Sequence, residues 1–242
     1  MARPLQTSAQ ELEIPAGGVM LPASLWLPSG SRVVVVFVHG SGSSRFSHRN
    51  RAVAQELQQA GLGTLLFDLL TAEEGVRDQR DRSLRFDMSL LSDRLVAVLD
   101  ALGACEPLGS QALGLFGAST GAAAALDAAA HRPDRVGAVV SRGGRPDLVV
   151  RSLGDVVCPT LLLVGSHDLD VLELNSWAAQ QLQGPHELRV IPGAGHLFEE
   201  PGTLDVVAAA ARDWFLKYLP ITEERHGAVQ HDAVNVTQIG RL

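Results

Sequence analysis

The sequence predicts one α/β domain with a mostly parallel central sheet and helices on both faces. Its 242 residues suffice for one large hydrophobic core, and chains of this size commonly fold as a single domain. Residues 33–38 (VVVVFV) form a continuous β-branched and aromatic run, which is typical of a strand covered on both faces. After this run, strand-like and helix-like segments alternate at the spacing of βαβ units, which implies parallel strands joined by right-handed crossovers.

The segment before the alternation has a different pattern. Residues 11–14 and 19–27 flank the Gly17–Gly18 turn and alternate loosely between apolar and polar side chains, so they predict a half-exposed antiparallel strand pair. Helix ends are predicted from Gly61, which follows a helical pattern, and from Pro133, which cannot continue one. Together these signals predict about eight strands, at 11–14, 19–27, 33–38, 63–67, 112–116, 136–140, 160–164 and 187–191, and helices at 49–60, 87–102, 121–131, 172–182 and 203–218.

Two segments lack a clear period. Residues 69–86 are charged, and we predict a loop near the upper edge of the sheet. Residues 220–242 form a polar tail that we expect to be mobile or packed on the surface, which leaves residues 1–219 as the domain. No linker divides this domain, and the interval 140–160 leaves little room for a large lid.

Composition excludes several functional classes. Apolar residues make up 46% of the chain and charged residues 19%, and the net charge of −7 argues against nucleic-acid binding. Lys217 is the single lysine, which makes a Walker phosphate loop or a Schiff-base site improbable. Cys105 and Cys158 are too few for a disulfide framework, so we expect them to be reduced.

Localisation is predicted from two absences in the sequence. No apolar run reaches the roughly 18 residues of a membrane span. The first ten residues, MARPLQTSAQ, lack the apolar segment of a secretory signal. We therefore expect a cytoplasmic protein without a membrane span.

The strongest motif is residues 117–121, Gly-Ala-Ser-Thr-Gly, between a predicted strand and a predicted helix. This is the context of a nucleophile elbow, a strained turn that lifts the serine hydroxyl clear of the sheet. The turn also directs the helix N-terminus, with its free N–H groups, toward the reacting atom. We therefore predict that Ser119 is a nucleophile.

A serine nucleophile needs a base, and this fold supplies the partners in the chain order Ser, Asp or Glu, His. Asp168 follows the strand at 160–164, and His196 follows the strand at 187–191. Both loops leave the carboxyl ends of strands, where ligands of open α/β sheets bind. We therefore predict Asp168 and His196 as the partners of Ser119, with Asp170 as the alternative carboxylate.

The other histidines are assigned structural or surface roles. His167 adjoins Asp168 in the chain, which disfavours a hydrogen bond between the two, and His39 is interpreted as a residue that shapes its loop. No His/Cys/Asp spacing suggests a metal site, and we expect neither a metal nor a cofactor. Surface or tail positions are expected for His48, His131, His186, His226 and His231.

Acyl transfer also requires N–H donors for the oxyanion. We predict the amide of Thr120, which follows the nucleophile, and an amide of the loop 39–44 (HGSGSS), which follows the strand at 33–38. In that loop Ser41 is the predicted donor and Gly42 the alternative.

The same loop permits a rival interpretation. Gly40 and Gly42 imitate the start of a dinucleotide-binding fingerprint, and Asp68 could then bind a ribose. However, Arg45 stands where the third glycine is required, and this interpretation leaves the predicted serine, aspartate and histidine without a role.

Taken together, the strand pair, HGSGSS, GASTG, GSHD and GAGH resemble the α/β-hydrolase superfamily, over nearly the whole chain to about residue 219. The short loops and missing lid resemble its dienelactone-hydrolase-like branch. The resemblance implies a Ser–Asp–His hydrolase acting on small-molecule esters or related acyl compounds. Members of that branch proper carry a cysteine at the elbow, whereas this chain has Ser119, so we expect a carboxylesterase rather than a true dienelactone hydrolase.

Arginines near the predicted site supply candidate substrate contacts. Arg142 and Arg145 follow the strand at 136–140 and could pair with a substrate carboxylate, and Arg85 has the same status. We select Arg142 as the candidate. A non-catalytic binding protein, a thioesterase and a lactonase remain alternatives, and the sequence does not indicate an oligomeric state.

Overall fold

Eight strands form one open sheet in the computed structural model, which describes residues 9–105 and 108–220. The strands are β1 (Gln10–Ala16), β2 (Val19–Trp26), β3 (Val33–Val38), β4 (Gly63–Phe67), β5 (Ala112–Ala118), β6 (Val136–Arg142), β7 (Thr160–Gly165) and β8 (His186–Ile191). Their order across the sheet is β1-β2-β4-β3-β5-β6-β7-β8.

Strand β2 is antiparallel to both of its neighbours, β1 and β4, and all other neighbouring pairs are parallel. The predicted fold class is therefore confirmed, including the N-terminal antiparallel pair. Parallel strands place their carboxyl ends at one edge, so the loops after β3, β5, β6, β7 and β8 all open on the same side of the sheet.

The helices cover both faces of the sheet and bury two apolar clusters. Along β3, Val34, Val36 and Val38 face one cluster, whereas Val33, Val35 and Phe37 face the other. This alternation explains why the strand has no polar side chain. The helices are α1 (His48–Gln59), α2 (Ala72–Asp81), α3 (Met88–Ala104), α4 (Thr120–His131), α5 (Leu169–Ala179) and α6 (Thr203–Tyr218); α3, α4 and α5 contribute to the first cluster, and α1 and α6 to the second.

The segment predicted as a loop, residues 69–86, contains helix α2, so that prediction was wrong. Asp78 is the one buried side chain of this helix, so the helix has almost no apolar face. Apolar periodicity therefore could not reveal it. A capping box starts it: the Thr71 hydroxyl accepts from the Glu74 amide, and the Glu74 carboxylate accepts from the Thr71 amide at 2.8 Å. Helix α5 also begins three residues earlier than predicted, directly after Asp168.

Helix α2 is attached to the core by an ion pair. Arg94 of α3 is buried, donates to the Leu69 carbonyl at 2.8 Å and pairs with both Glu74 carboxylate oxygens. The hydrogen bond from Arg94 is the main reason that the pKa of Glu74 falls from 4.5 to about 2. The pair thus ties α2 to α3 and to the segment that follows β4.

Glu74→Gln is expected to lower the free energy of unfolding at pH 7 by about 1–3 kcal/mol, because it leaves buried Arg94 without its charged partner. The folded-state pKa of Glu74 is depressed, so its contribution is complete above about pH 4.5 and is lost as pH falls toward about 2. Urea unfolding of both proteins between pH 7 and pH 3 checks this. The exposed neighbour provides the control, since Glu73→Gln should change stability by less than about 0.5 kcal/mol. A deficit in Glu74→Gln that stayed constant down to pH 3 would contradict the ion-pair account.

The tail predicted at residues 220–242 lies outside the described residues from 221 onward, as do His226 and His231. Within residues 9–105 and 108–220, no helix is both long and apolar enough to cross a bilayer.

Candidate active site

Ser119 lies between β5 and α4 in a backbone conformation that non-glycine residues rarely adopt. Its φ is 53° and its ψ is −121°. Glycines make this turn possible: a Cβ on Gly117 would come within 2.4 Å of the Ala122 Cα, and a Cβ on Gly121 within 2.3 Å of the Val38 carbonyl oxygen. The Ser119 side chain therefore projects from a tight turn at the N-terminus of α4.

The two predicted partners lie in reach of this serine. His196 Nδ1 is 2.6 Å from Asp168 Oδ2, and His196 Nε2 is 3.4 Å from Ser119 Oγ. An ionised carboxylate only accepts hydrogen bonds, so Nδ1 is the donor in this pair and the neutral ring presents the lone pair of Nε2 to the serine. The structure thus brings Ser119, Asp168 and His196 into one hydrogen-bonded chain.

The loops that carry the aspartate and the histidine are joined to each other by hydrogen bonds. The His167 amide donates to the Ala194 carbonyl at 2.9 Å, and the Gly193 amide donates to the Ser166 hydroxyl at 2.9 Å. The Glu200 carboxylate accepts from the Gly195 amide at 3.0 Å, immediately before the histidine. Backbone hydrogen bonds lower the pKa of Glu200, so it stays ionised in this role. Sequence reasoning missed Glu200, because a glutamate in a loop carries no motif.

The alternative carboxylate and the other histidines lie outside this hydrogen-bonded chain. Asp170 is exposed in the first turn of α5, whereas the carboxylate of Asp168 is mostly buried against His196. The ring of His39 is buried: its Nδ1 bonds the Gly40 carbonyl, and its Nε2 accepts from the Leu69 amide at 3.0 Å. Burial lowers the pKa of His39, and both ring nitrogens are used to hold the loop after β3. His48 and His186 are exposed at the starts of α1 and β8, and His131 is at the end of α4.

The two residues predicted to supply the oxyanion donors, Ser41 and Thr120, are in contact with each other. The Thr120 amide belongs to the first turn of α4, where N–H groups have no intrahelical acceptor. The Ser41 amide donates to the Thr120 hydroxyl at 2.9 Å, so it is already occupied in the free protein. The alternative residue, Gly42, has a φ of 72° and lines a cavity of about 260 Å³ on the side of the loop that faces α2.

A second cavity of about 230 Å³ contains the reactive groups. It is lined by Ser119, His196 and Arg142, and by residues of the loop after β3 and of the first turn of α1. Helix α1 contributes Arg49 and Asn50, which sequence reasoning did not connect with the site, because no motif links the start of this helix to the elbow. We call this space the serine cavity.

Of the three candidate arginines, Arg142 alone lines the serine cavity. Arg145 pairs with Asp147 through two hydrogen bonds of 2.8 Å. Arg85 binds Asp78 at 2.7 Å and lines the other cavity. Two of the three predicted candidates are therefore committed to carboxylates of the protein.

The rival dinucleotide interpretation loses its acidic residue in this arrangement. The carboxylate of Asp68 accepts from the Arg45 amide at 2.6 Å and pairs with the Arg45 guanidinium. It is thus engaged by the side chain that occupies the third glycine position. Among residues 9–105 and 108–220, no group of three or more His, Cys, Asp or Glu side chains could hold a metal ion.

Comparison with known proteins gives concordant matches. The family model described as dienelactone hydrolase family matches residues 21–221. The crystal structure of a dienelactone hydrolase from Anabaena variabilis ATCC 29413 is 53% identical with a TM-score of 0.86, and the match covers 88% of this chain and 100% of that chain. A lidless α/β serine hydrolase from Xanthomonas campestris has a TM-score of 0.67 at 21% identity, covering 91% of this chain and 100% of that one, and this similarity concerns the fold alone.

Curated relatives from Mycobacterium tuberculosis, strains CDC 1551 and H37Rv, are 54% identical over 210 residues. The match covers 87% of this chain but 46% of each relative. Both relatives carry the name phosphoribosyl transferase. The chain spans about half the length of these relatives, so that name describes longer proteins.

Proposed function

The chain belongs to the dienelactone hydrolase family and has the α/β-hydrolase fold, and on that basis we propose that it is a serine hydrolase that cleaves small carboxylic esters through an acyl-enzyme on Ser119. The observation that carries the proposal is the continuous hydrogen-bonded chain from Asp168 through His196 to the strained serine. A hydroxyl with a base on one side and free helix N–H groups on the other is suited to acyl transfer.

In the proposed first step, His196 Nε2 accepts the proton of Ser119 Oγ while Oγ attacks the ester carbonyl carbon. Asp168 holds the ring in the required tautomer and stabilises the imidazolium that forms. The separation of 3.4 Å between Nε2 and Oγ is long for a hydrogen bond, and we expect it to shorten when substrate fills the serine cavity.

The oxyanion that develops is bound by the amides of Thr120 and Ser41 in this proposal. The Thr120 amide lies at the positive end of α4 and needs no rearrangement. The Ser41 amide exchanges its present acceptor, the Thr120 hydroxyl, for the more strongly accepting oxyanion.

The intermediate then collapses, and the C–O bond to the alcohol breaks as the imidazolium protonates the leaving oxygen. Water next attacks the acyl-enzyme with His196 again as base, which releases the carboxylic acid and restores the serine hydroxyl. Thioesters and lactones contain acyl carbons open to the same attack, so they belong among the substrates to be compared.

Two other functions are disfavoured by particular observations. A nucleotide-binding oxidoreductase does not agree with the family or with the Asp68–Arg45 pair. A binding protein without turnover would not need the strained backbone at Ser119, which is stabilised only by the surrounding packing.

The test is a panel of 4-nitrophenyl esters from acetate to decanoate, with a thioester and a lactone alongside. We expect turnover with a preference for short acyl chains, because the serine cavity measures about 230 Å³. The absence of turnover for every member of the panel by the folded protein would refute the proposal.

A further inference from the structure

We propose that strand β8 is a self-pairing edge of the sheet, through which two copies of this chain form an antiparallel dimer. Glu187 of each copy would lie opposite the partner's Arg189, and the two sheets would join into one. The inference is independent of the proposed ester hydrolysis, because it concerns the edge of the sheet and not the serine cavity. It rests on the free backbone groups of β8, on the order of its charges and on its exposed apolar side chain.

Strand β8 is the last strand of the sheet. It pairs in parallel with β7 on its inner side, and within residues 9–105 and 108–220 no strand pairs with its outer side. It contains no proline that would remove an N–H group from the edge. A row of unpaired N–H and C=O groups on such a strand is a template for pairing with another chain.

The ladder between β7 and β8 shows which backbone groups point outward. The Thr160 amide donates to the Pro185 carbonyl at 2.9 Å, and the Ser166 amide donates to the Ile191 carbonyl at 3.0 Å. Residues that bond to one neighbour alternate along a strand, so the odd-numbered residues of β8 bond to β7. The outward N–H and C=O groups therefore belong to the even-numbered residues, which are His186, Leu188 and Val190.

The charges of β8 favour one antiparallel register. Glu187 and Arg189 share a face, their side chains are 43% and 41% exposed, and Arg189 Nε donates to Glu187 Oε1 at 2.8 Å. With the two-fold axis at Leu188, Glu187 lies directly opposite the partner's Arg189. This is a non-hydrogen-bonded position, where facing side chains come closest. Each glutamate then contacts an arginine of its own chain and an arginine of the partner.

The neighbouring registers are disfavoured by the same charges. The outward groups of two copies meet only if the two-fold axis passes through a residue and not between two residues. An axis at Glu187 sets two glutamates opposite each other, and an axis at Arg189 sets two arginines opposite each other. Like charges that face each other directly destabilise an antiparallel pair. The charges of β8 therefore select the register centred on Leu188.

The other face of β8 presents apolar side chains to a second copy. Leu188 packs against the first apolar cluster and is partly buried, whereas Val190 is 41% exposed. In the register centred on Leu188, the two leucines lie opposite each other and Val190 lies opposite the partner's His186. Pairing would therefore remove apolar surface from water on this face, while it pairs opposite charges on the other.

Strand β1, at the opposite edge of the sheet, lacks this self-complementarity. It contains Pro15, which has no N–H group to donate to a ladder. Its charged side chains, Glu11 and Glu13, lie on one face and carry the same sign, so self-pairing brings glutamates together. Proline and like charges are devices by which edge strands avoid pairing. Strand β8 has neither, which makes it the edge that fits a second copy.

Pairing through β8 leaves the proposed active sites accessible. The carboxyl ends of two antiparallel strands point in opposite directions. The serine cavity lies at the carboxyl edge of the sheet, so the two serine cavities would lie at opposite edges of the joined sheet.

Sedimentation velocity of the full chain tests the inference. The chain mass is 25.7 kDa, and we expect a species of twice that mass at about 10 μM. Glu187→Arg and Arg189→Glu each set like charges at the facing positions, so each should raise the dimer dissociation constant by about 10-fold or more. Glu13→Arg makes the same charge change at an exposed position of β1 and should change the constant by less than about twofold.

Restoring opposite charges separates pairing between chains from an effect within one chain. The double variant, Glu187→Arg with Arg189→Glu, should dimerise as the wild type does. An equimolar mixture of the two single variants should also form dimers, because one variant presents only positive charges on β8 and the other only negative charges. Damage confined to one chain would not be repaired by mixing.

A monomer at every concentration up to about 100 μM would overturn the inference. So would a dimer whose dissociation constant is unchanged in both single variants, or a loss that neither mixing nor the double variant repairs. Circular dichroism establishes that each variant is folded. If a single variant is unfolded, Val190→Lys decides: it sets a charge on the apolar face and should raise the constant by about 10-fold, and an unchanged constant would refute pairing through β8.

Discussion

Ser119→Ala is expected to lower kcat for 4-nitrophenyl esters by a factor of at least about 10⁴, while the fold stays intact. The substitution removes the oxygen that forms the acyl-enzyme, and water in the serine cavity is a poor replacement without a covalent intermediate. Stability should change little, because within residues 9–105 and 108–220 the Ser119 side chain makes no hydrogen bond other than the one to His196.

Stopped-flow and long-time assays on purified protein measure this loss. Ser176→Ala is the matched control: its hydroxyl lies on α5, donates to the Leu172 carbonyl and faces no reactive group. It should retain activity within about threefold of wild type. Activity of Ser119→Ala within that same range would exclude Ser119 as the nucleophile.

Asp168→Asn is expected to lower kcat by a factor of about 10³–10⁴. An asparagine can turn its NH₂ group toward His196 Nδ1, and the ring then carries its proton on Nε2, where it cannot accept from Ser119. The shape of the site is preserved, so KM should change much less than kcat.

Asp170→Asn is the control for this prediction, because Asp170 is a carboxylate two residues away that is exposed in the first turn of α5. It should keep activity within about threefold. Steady-state kinetics of the two variants on one ester decides which carboxylate orients His196. A larger loss of kcat in Asp170→Asn than in Asp168→Asn would assign that role to Asp170.

Much of the fold could be predicted because the sheet signals are local. Strand β3 is a continuous apolar run. The glycines at 117 and 121 indicate a tight turn, because a side chain at either position would clash with the backbone. The convergence of Ser119, Asp168 and His196 at one edge of the sheet then follows from the parallel topology, because each residue comes after the carboxyl end of a strand.

The parts of the fold that were not predicted depend on contacts that the sequence pattern does not encode. Helix α2 has no apolar stripe, and the capping box of Thr71 and Glu74 was its only local signal. Its attachment comes from Arg94, which lies 20 positions away from Glu74. Long-range ion pairs of this kind override the charged composition that predicted a loop.

The environment of Arg142 was equally inaccessible to sequence reasoning. Its position just after the predicted strand at 136–140 indicated that it would lie at the edge of the site. Its burial against Phe198 and its proximity to Arg49, however, arise from loops and a helix far apart in the chain. The same holds for the Ser41 amide, whose bond to the Thr120 hydroxyl joins residues 79 positions apart. Side-chain contacts between loops that are far apart in the chain can be identified only from the three-dimensional structure.

The most direct measurement of the central claim is labelling of the native protein with a fluorophosphonate, followed by mass spectrometry of the modified peptide. These probes react with a serine that a base has activated, and they need no knowledge of the substrate. The account predicts one modified residue, Ser119, with labelling strongly slowed in Asp168→Asn and lost in Ser119→Ala. Modification of a different serine, or no modification of the folded wild-type protein, would contradict it.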